Sequence, residues 1–176
     1  MAIFISSDLH FNHNQPFVYD ARGFNSIAHM NQVILDNFNE RVAPTDDLWL
    51  LGDLCMGVTS EARELLEQLP GRVHIILGNH DTKPRRVLYE ALGWDCQYAT
   101  EIKVAKRTFY LSHYPTLVSN FDEPHGPWNL HGHTHATQAF SEYPRCFNVG
   151  VDAHDCYPLE INEIISQIKE FNNTNV

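Results

Sequence analysis

The side chains best suited to chemistry fall in five clusters, each directly behind a short apolar run. Phe4-Ile5-Ser6-Ser7 leads into Asp8-Leu9-His10, and Leu48-Trp49-Leu50-Leu51 into Gly52-Asp53. His74-Ile75-Ile76-Leu77 leads into Gly78-Asn79-His80-Asp81, Phe109-Tyr110-Leu111-Ser112 into His113, and Trp128-Asn129-Leu130 into His131-Gly132-His133-Thr134-His135. The donors are imidazole, carboxylate and one amide, with no thiolate. That set suits borderline divalent cations such as Mn, Fe, Zn, Ni or Co and does not suit a structural cysteine-rich zinc site. On extended backbone, residues two apart point to one face. Asp8 with His10, and His133 with His135, therefore read as paired ligands. Asp53, Asn79 and His113 bring the candidate ligands to seven. One ion does not need that many. Two ions about 3.5–4 Å apart, sharing a carboxylate and clamping a phosphate with a bridging hydroxide, do.

Those clusters need strands that end at a common edge. Residues 2–6, 47–51 and 72–77 read as buried strands. Between them, residues 26–41 place Ile27, Met30, Ile34 and Phe38 on one helical face, capped by Asn25 or Ser26. Thr59 caps a second helix carrying Ala62, Leu65, Leu66 and Leu69, which stops at Pro70-Gly71. A short helix runs from Pro84 to about Leu92. The second half is richer in strands: 98–104 and 107–112 with a turn near Lys106, then 128–131 and 145–151. A closing helix over 159–171 carries Ile161, Ile164, Ile165 and Ile168. The expected fold class is α/β, with mixed β-sheets, parallel at the centre with antiparallel additions, flanked by helices. In such a sheet, ligand sites lie at the carboxyl ends of the strands.

Composition narrows the partners. The chain of 176 residues carries 12 Lys+Arg against 22 Asp+Glu, a net charge of -10, and 11 His. One domain spanning residues 1–176 is expected. A long nucleic acid needs a basic footprint, and an anionic membrane surface needs the same, so both are disfavoured. Two divalent cations would offset part of the negative excess where a phosphate must sit, which points to small phosphate esters. The N-terminus meets an acidic residue at once and lacks a basic start, and Cys55, Cys96, Cys146 and Cys156 form no CxxC pair. A reducing, cytoplasmic setting without a signal peptide is expected.

The ordered set D-x-H, GD, GNHD, H and GHxH over residues 8–135 resembles the calcineurin-like metallophosphoesterases. The surrounding text (DLHFNHN, LSHYP, LHGHTH, NVGVD) is similar to their small single-domain branch in bacteria and phages. The resemblance implies a layered metallophosphoesterase-type fold with two divalent ions, manganese favoured. It implies that Asp8, His10 and His135 hold the first ion, that Asp53 bridges, and that Asn79, His113 and His133 hold the second. His80 would contact the phosphate and protonate the leaving oxygen, and Asp81 would orient His80 or its loop. The reaction implied is hydrolysis of small phosphodiesters or nucleotides, with phosphomonoesters as the alternative and a non-catalytic binding scaffold of the same fold as a second one. The full ligand set with His80 speaks against the scaffold. A metallo-β-lactamase-like reading wants HxHxDH after an early strand, whereas here His133-x-His135 comes late and is followed by Ala136-Thr137.

Several residues near these motifs have two readings. His13 and Asn14 either reach the substrate or hold a loop. Arg22 is a phosphate clamp or half of a salt bridge. Lys83, Arg85 and Arg86 open a helix, where cations are disfavoured. They mark an anionic substrate at the mouth or a solvated basic patch. Tyr114, Pro115 and Trp128 line a pocket wall or simply pack. His131, in phase with His133 and His135, fits better as a hydrogen-bonded core residue than as a ligand.

Overall fold

The computed structural model describes residues 1–119, 123, 126–140 and 143–174. From the N-terminus the elements are β1 (Ile3–Ser6), α1 (Pro16–Tyr19), α2 (Ile27–Arg41), β2 (Asp47–Leu50), α3 (Ser60–Leu66), β3 (Arg72–Ile76), α4 (Lys83–Ala91) and β4 (Asp95–Gln97). β5 (Ala99–Val104), β6 (Arg107–Ser112), β7 (Trp128–His131) and β8 (Cys146–Asn148) follow. A single 3-10 turn at Val151–Ala153, β9 (Leu159–Glu160) and α5 (Ile161–Thr174) complete the chain. Local side chains set the helix starts. Ser26 Oγ accepts from the His29 N–H at 3.2 Å to cap α2, and Thr59 Oγ1 accepts from the Ala62 N–H at 3.3 Å to cap α3. Pro84 lies in the first turn of α4, where its missing N–H has no partner to lose.

The strands form two mixed sheets. The first has the order β4-β3-β2-β1-β9, with β1 to β4 parallel and β9 antiparallel to β1. The second has the order β5-β6-β7-β8. Its β5–β6 hairpin turns at Ala105-Lys106, both at positive φ, whereas β6, β7 and β8 run parallel. β4 and β9, with three and two residues, are too short to leave a periodic signal, and α1 has only four. The expected strand over 145–151 shortens to Cys146–Asn148, and the closing helix starts at Ile161 because Leu159 and Glu160 pair with β1.

Alternation along the central strands explains the layers. Phe4, Leu48, Leu50, Val73 and Ile75 face the core under α2, α3 and α4. Ile5, Leu51 and Ile76 face the other way, meeting Phe109, Leu111, Leu130 and Phe147 of the second sheet and the isoleucines of α5. Strands buried on both faces must be apolar on both, as these are. Among the described residues no helix is long and apolar enough to cross a membrane. Ser7 pairs with Gly150 in a parallel bridge, and its Oγ donates to Leu51 O at 2.7 Å. The carboxyl ends of the two sheets thus meet along one edge.

Candidate metal centre

At this edge the chain leaves extended geometry. Asp8, His10, Asp53, His133 and His135 all have φ between 50° and 69°. The expectation that Asp8–His10 and His133–His135 share a face as extended strand ends is therefore corrected. Each pair converges through left-handed backbone. The Asp8, His10 and Phe11 N–H groups donate to Gly52, Asp53 and Leu54 carbonyls at 3.0, 3.0 and 2.9 Å, so this unusual path is held in register by the loop after β2. Two glycines make room. A Cβ on Gly78 would collide with the Asp53 carboxylate, and one on Gly132 with Ser7 Oγ and Asp8 Oδ2.

Both buried aspartates are split in function. Asp8 Oδ2 accepts from the His133 N–H at 2.9 Å, and Asp53 Oδ1 accepts from the His80 N–H at 2.8 Å. The other oxygen of each points inward. Asp8 Oδ1 is 3.9 Å from both His10 Nε2 and His135 Nε2. Asp53 Oδ2 is 3.5 Å from His113 Nε2, 3.8 Å from His10 Nε2 and 3.9 Å from His80 Nε2. Asn79 Oδ1 lies 2.9 Å from both His113 Nε2 and His133 Nδ1. Two groups, Asp8–His10–His135 and Asp8–Asp53–His113, have their donor atoms within 4.8 Å of one another. The structure thus brings all seven expected ligands to one edge.

The donor chemistry fits a divalent cation. Asp8 Oδ1 and His10 Nε2 are buried without a hydrogen-bond partner, and such groups cost about 1–3 kcal/mol each when left unmatched. His113 Nδ1 donates to Leu51 O at 2.8 Å. In a neutral imidazole its Nε2 is then a bare lone pair, facing two oxygens that are also lone-pair donors. A cation among these three lone-pair donors would satisfy all of them at once. Burial, then His135 and Arg22, lower His10 to about 2, which keeps it in the neutral form that ligates. Burial also raises the Asp8 carboxyl above its ordinary value, and the neighbouring His113 and His135 and the hydrogen bonds from Ser7 and the His133 N–H oppose that shift.

Other residues hold this core in place. Asp152 Oδ2 accepts from His135 Nδ1 at 2.9 Å, and that hydrogen bond holds His135 above its ordinary pKa. A carboxylate accepts only, so Nδ1 carries the proton and Nε2 is free to ligate. Asp152 follows the β8 run as the expected ligands follow theirs. The rule that found those clusters, applied to Asn148-Val149-Gly150-Val151, would have found it. The expectation of Arg22 as a phosphate clamp is corrected. Its Nε and Nη2 donate to Asp152 at 2.8 and 2.9 Å, Nη2 to Asp8 O at 2.8 Å, and Nη1 to Leu9 O at 3.2 Å. A guanidinium buried this deeply needs every one of those acceptors.

Asp81 holds the loop and not the His80 ring. Its Oδ2 accepts from the Asp53 and Gly78 N–H groups, both at 2.8 Å, and its Oδ1 from the buried Tyr89 hydroxyl at 2.7 Å. Arg85 donates to His80 O and, at 3.3 Å, to Gly57 O, so it secures the same loop. Lys83 and Arg86 line a different cleft, with Val87, Glu90 and Tyr98, and Arg86 pairs with Glu90 at 2.8 Å. The structure does not bring these two to the metal edge, because α4 turns them away from it. His131 is buried, its Nδ1 2.8 Å from Gly132 O, and Trp128 packs in the core with 4% exposure, bordering a cleft with Arg145 and Lys106 and not the one at the metal edge. Tyr114, half-exposed, sits 4.5 Å from the His133 ring at the rim. A cleft of about 350 Å³ opens over His10, His80 and His135, and His13 lines it. The His80 side chain is 41% exposed there.

Two mixed sheets, flanked by helices and carrying aspartate and histidine groups at their shared carboxyl edge, make this a metallophosphoesterase-type fold. Solved structures share it. The protein of unknown function AQ665 from Aquifex aeolicus superposes with a TM-score of 0.71 at 23% identity, over 94% of this chain and 98% of that one. A novel archaeal phosphodiesterase superposes with a TM-score of 0.53 at 15% identity, over 85% and 82%. A family model for the calcineurin-like phosphoesterase superfamily domain matches residues 1–153, and the chain belongs to that superfamily. Relatives span nearly the whole chain. The uncharacterized protein MJ1445 of Methanocaldococcus jannaschii is 31% identical over 181 positions, covering 96% of this chain and 92% of its own. The gene 66 protein of Mycobacterium phage D29 is 30% identical over 198 positions, covering 96% and 98%.

Proposed function

We propose that the protein is a metal-dependent phosphodiesterase acting on small diesters or nucleotides, with two divalent cations, manganese favoured, at the carboxyl edge of its sheets. One observation carries this reading: two ligand groups share Asp8, and the free oxygen of Asp53 faces histidines of both. Asp8, His10 and His135 would hold one ion, Asn79, His113 and His133 the other, with Asp53 between them. When bound, the cations supply positive charge against the phosphoryl oxygens and make water acidic enough to lose a proton near neutral pH.

The chain's own residues do the rest. Asp8 and Asp53, each pinned by one backbone N–H, present a fixed acceptor to the centre and need no rearrangement on binding. His80 stands at the cleft with its backbone held by Asp53 and Arg85, which fixes its ring where a general acid for the departing oxygen would stand. The net charge of -10 favours small esters over long nucleic acid. The cysteines are free thiols, which supports a reducing, cytoplasmic setting.

The test pairs a substrate with a variant. Bis-p-nitrophenyl phosphate should be cleaved faster than p-nitrophenyl phosphate in the presence of Mn, Ni or Zn. His80→Ala should lower kcat about 10²–10⁴-fold while elemental analysis finds the metal retained. A monoester preference would reverse the substrate assignment, and wild-type turnover in His80→Ala would remove His80 from the reaction.

A further inference from the structure

The cleft over the metal edge is lined by two unlike sets of residues. One is His10, His80 and His135. The other, on α1 and just after it, is Phe17, Val18 and Ala21, which have no polar side-chain atoms. Phe17 lies on α1 and is 72% exposed. A phenyl ring left that open at the lip of a polar site is apolar surface that an occupant could cover. Arg22 and Asp152 lie beneath, but their charges neutralise each other and their donors and acceptors are taken. The apolar side therefore offers little to a charged or hydrogen-bonding occupant. It does offer ring surface. His13 stands 5.8 Å from Phe17 at 83°, making a corner of two rings, and 6.2 Å from His80. Aromatic side chains accept a third ring by stacking or by edge contact, with little sequence or substituent demand.

The geometry points to a subsite for an uncharged planar ring carried on the phosphate ester, as a nucleobase is carried by a nucleotide. Phe17 supplies its stacking face and His13 its edge. The inference rests on the phosphoesterase reading of the metal centre, which places the phosphate end at His80.

The test is a calorimetric titration of the full-length Mn-loaded protein. The ligands are the 5′-phosphonate analogues of AMP and of ribose 5-phosphate, which share anion and sugar and carry a C–P bond that an esterase does not cut. The adenosine analogue should bind tighter by about 5- to 150-fold, the factor that base–aromatic stacking contributes. Phe17→Ala should remove that margin and Phe17→Tyr should keep it. Tyr98→Ala, at another exposed aromatic residue outside the cleft, should also keep it. Equal affinity for the two ligands, including binding of neither, overturns the subsite, as does a margin that survives Phe17→Ala. A change of oligomeric state in Phe17→Ala with the margin intact would assign the face to a second copy of the chain. Failure of the underlying functional reading has a separate signature: metal-loaded wild type that cleaves neither mono- nor diesters.

Discussion

The two ends of the first sheet carry the same residue types to opposite effect. Toward the amino ends of β2, β3 and β4, His74 is held between two aspartates. Its Nδ1 is 2.8 Å from Asp95 Oδ1 and its Nε2 3.1 Å from Asp47 Oδ1, and Arg72 pairs with Asp47 at 2.8 Å. The His74 ring stacks on Trp49 at 4.5 Å. Each ring nitrogen there has a carboxylate oxygen within hydrogen-bond distance, and the Arg72 and Asp95 side chains are about half exposed to water. At the carboxyl end, Asp8 and Asp53 each fix one oxygen to a backbone N–H and aim the other into a centre of further lone-pair donors. A histidine among aspartates is therefore not diagnostic by itself. What separates a salt-bridged surface from a metal centre is the set of donors the backbone leaves unmatched.

Deleting one carboxylate from each end tests this contrast with the largest effect. Asp53→Ala should lose bound metal and activity together, read by elemental analysis and turnover. Asp47→Ala should change neither and cost at most about 1 kcal/mol of stability, as exposed ion pairs do. An Asp53→Ala protein with full metal content and wild-type rate would erase the distinction.

A smaller effect is expected from the residue behind the ligands. Asp152→Asn should weaken metal retention about 10- to 100-fold, measured by competition with a chelator, and excess Mn should restore turnover. An unchanged metal affinity would reduce Asp152 to a partner of Arg22.

The smallest effect belongs to the opposite end. The Ala2 and Ala43 N–H groups donate to Asp46 at 2.7 and 3.1 Å and hold its carboxyl below the ordinary value. A depressed carboxylate contributes stability that is present above its unfolded pKa and is lost as pH falls through the folded value. In EDTA, the gap in thermal midpoint between wild type and Asp46→Asn should be widest near pH 7. It should close below about pH 4. A gap that ignores pH would show that the carboxylate charge contributes nothing.

Much of the site was legible because parallel strands deliver their ends to one edge, so an apolar run followed by Asp or His is a positional statement. The local path was not legible. The two-residue spacing of Asp8-His10 assumes extended backbone, and the loop pairing with Gly52 and Asp53 bends it elsewhere. Arg22 could not be resolved from its own surroundings because its partner Asp152 lies 130 residues away. Lys83 and Arg86 follow a motif in sequence yet leave it in space, since a helix start redirects side chains within a single turn. β4 and β9 exist only through their neighbours, being too short to carry a pattern of their own.

The left-handed backbone at Asp8, His10, Asp53, His133 and His135 has a consequence beyond chemistry. Non-glycine residues held there cost on the order of 1 kcal/mol each, and a whole domain is stable by only about 5–15 kcal/mol. Without cations, the chain bears that load together with its unmatched buried donors. Anything that binds only the folded form raises its stability by mass action. A cation held at this edge would therefore add to the stability of the fold.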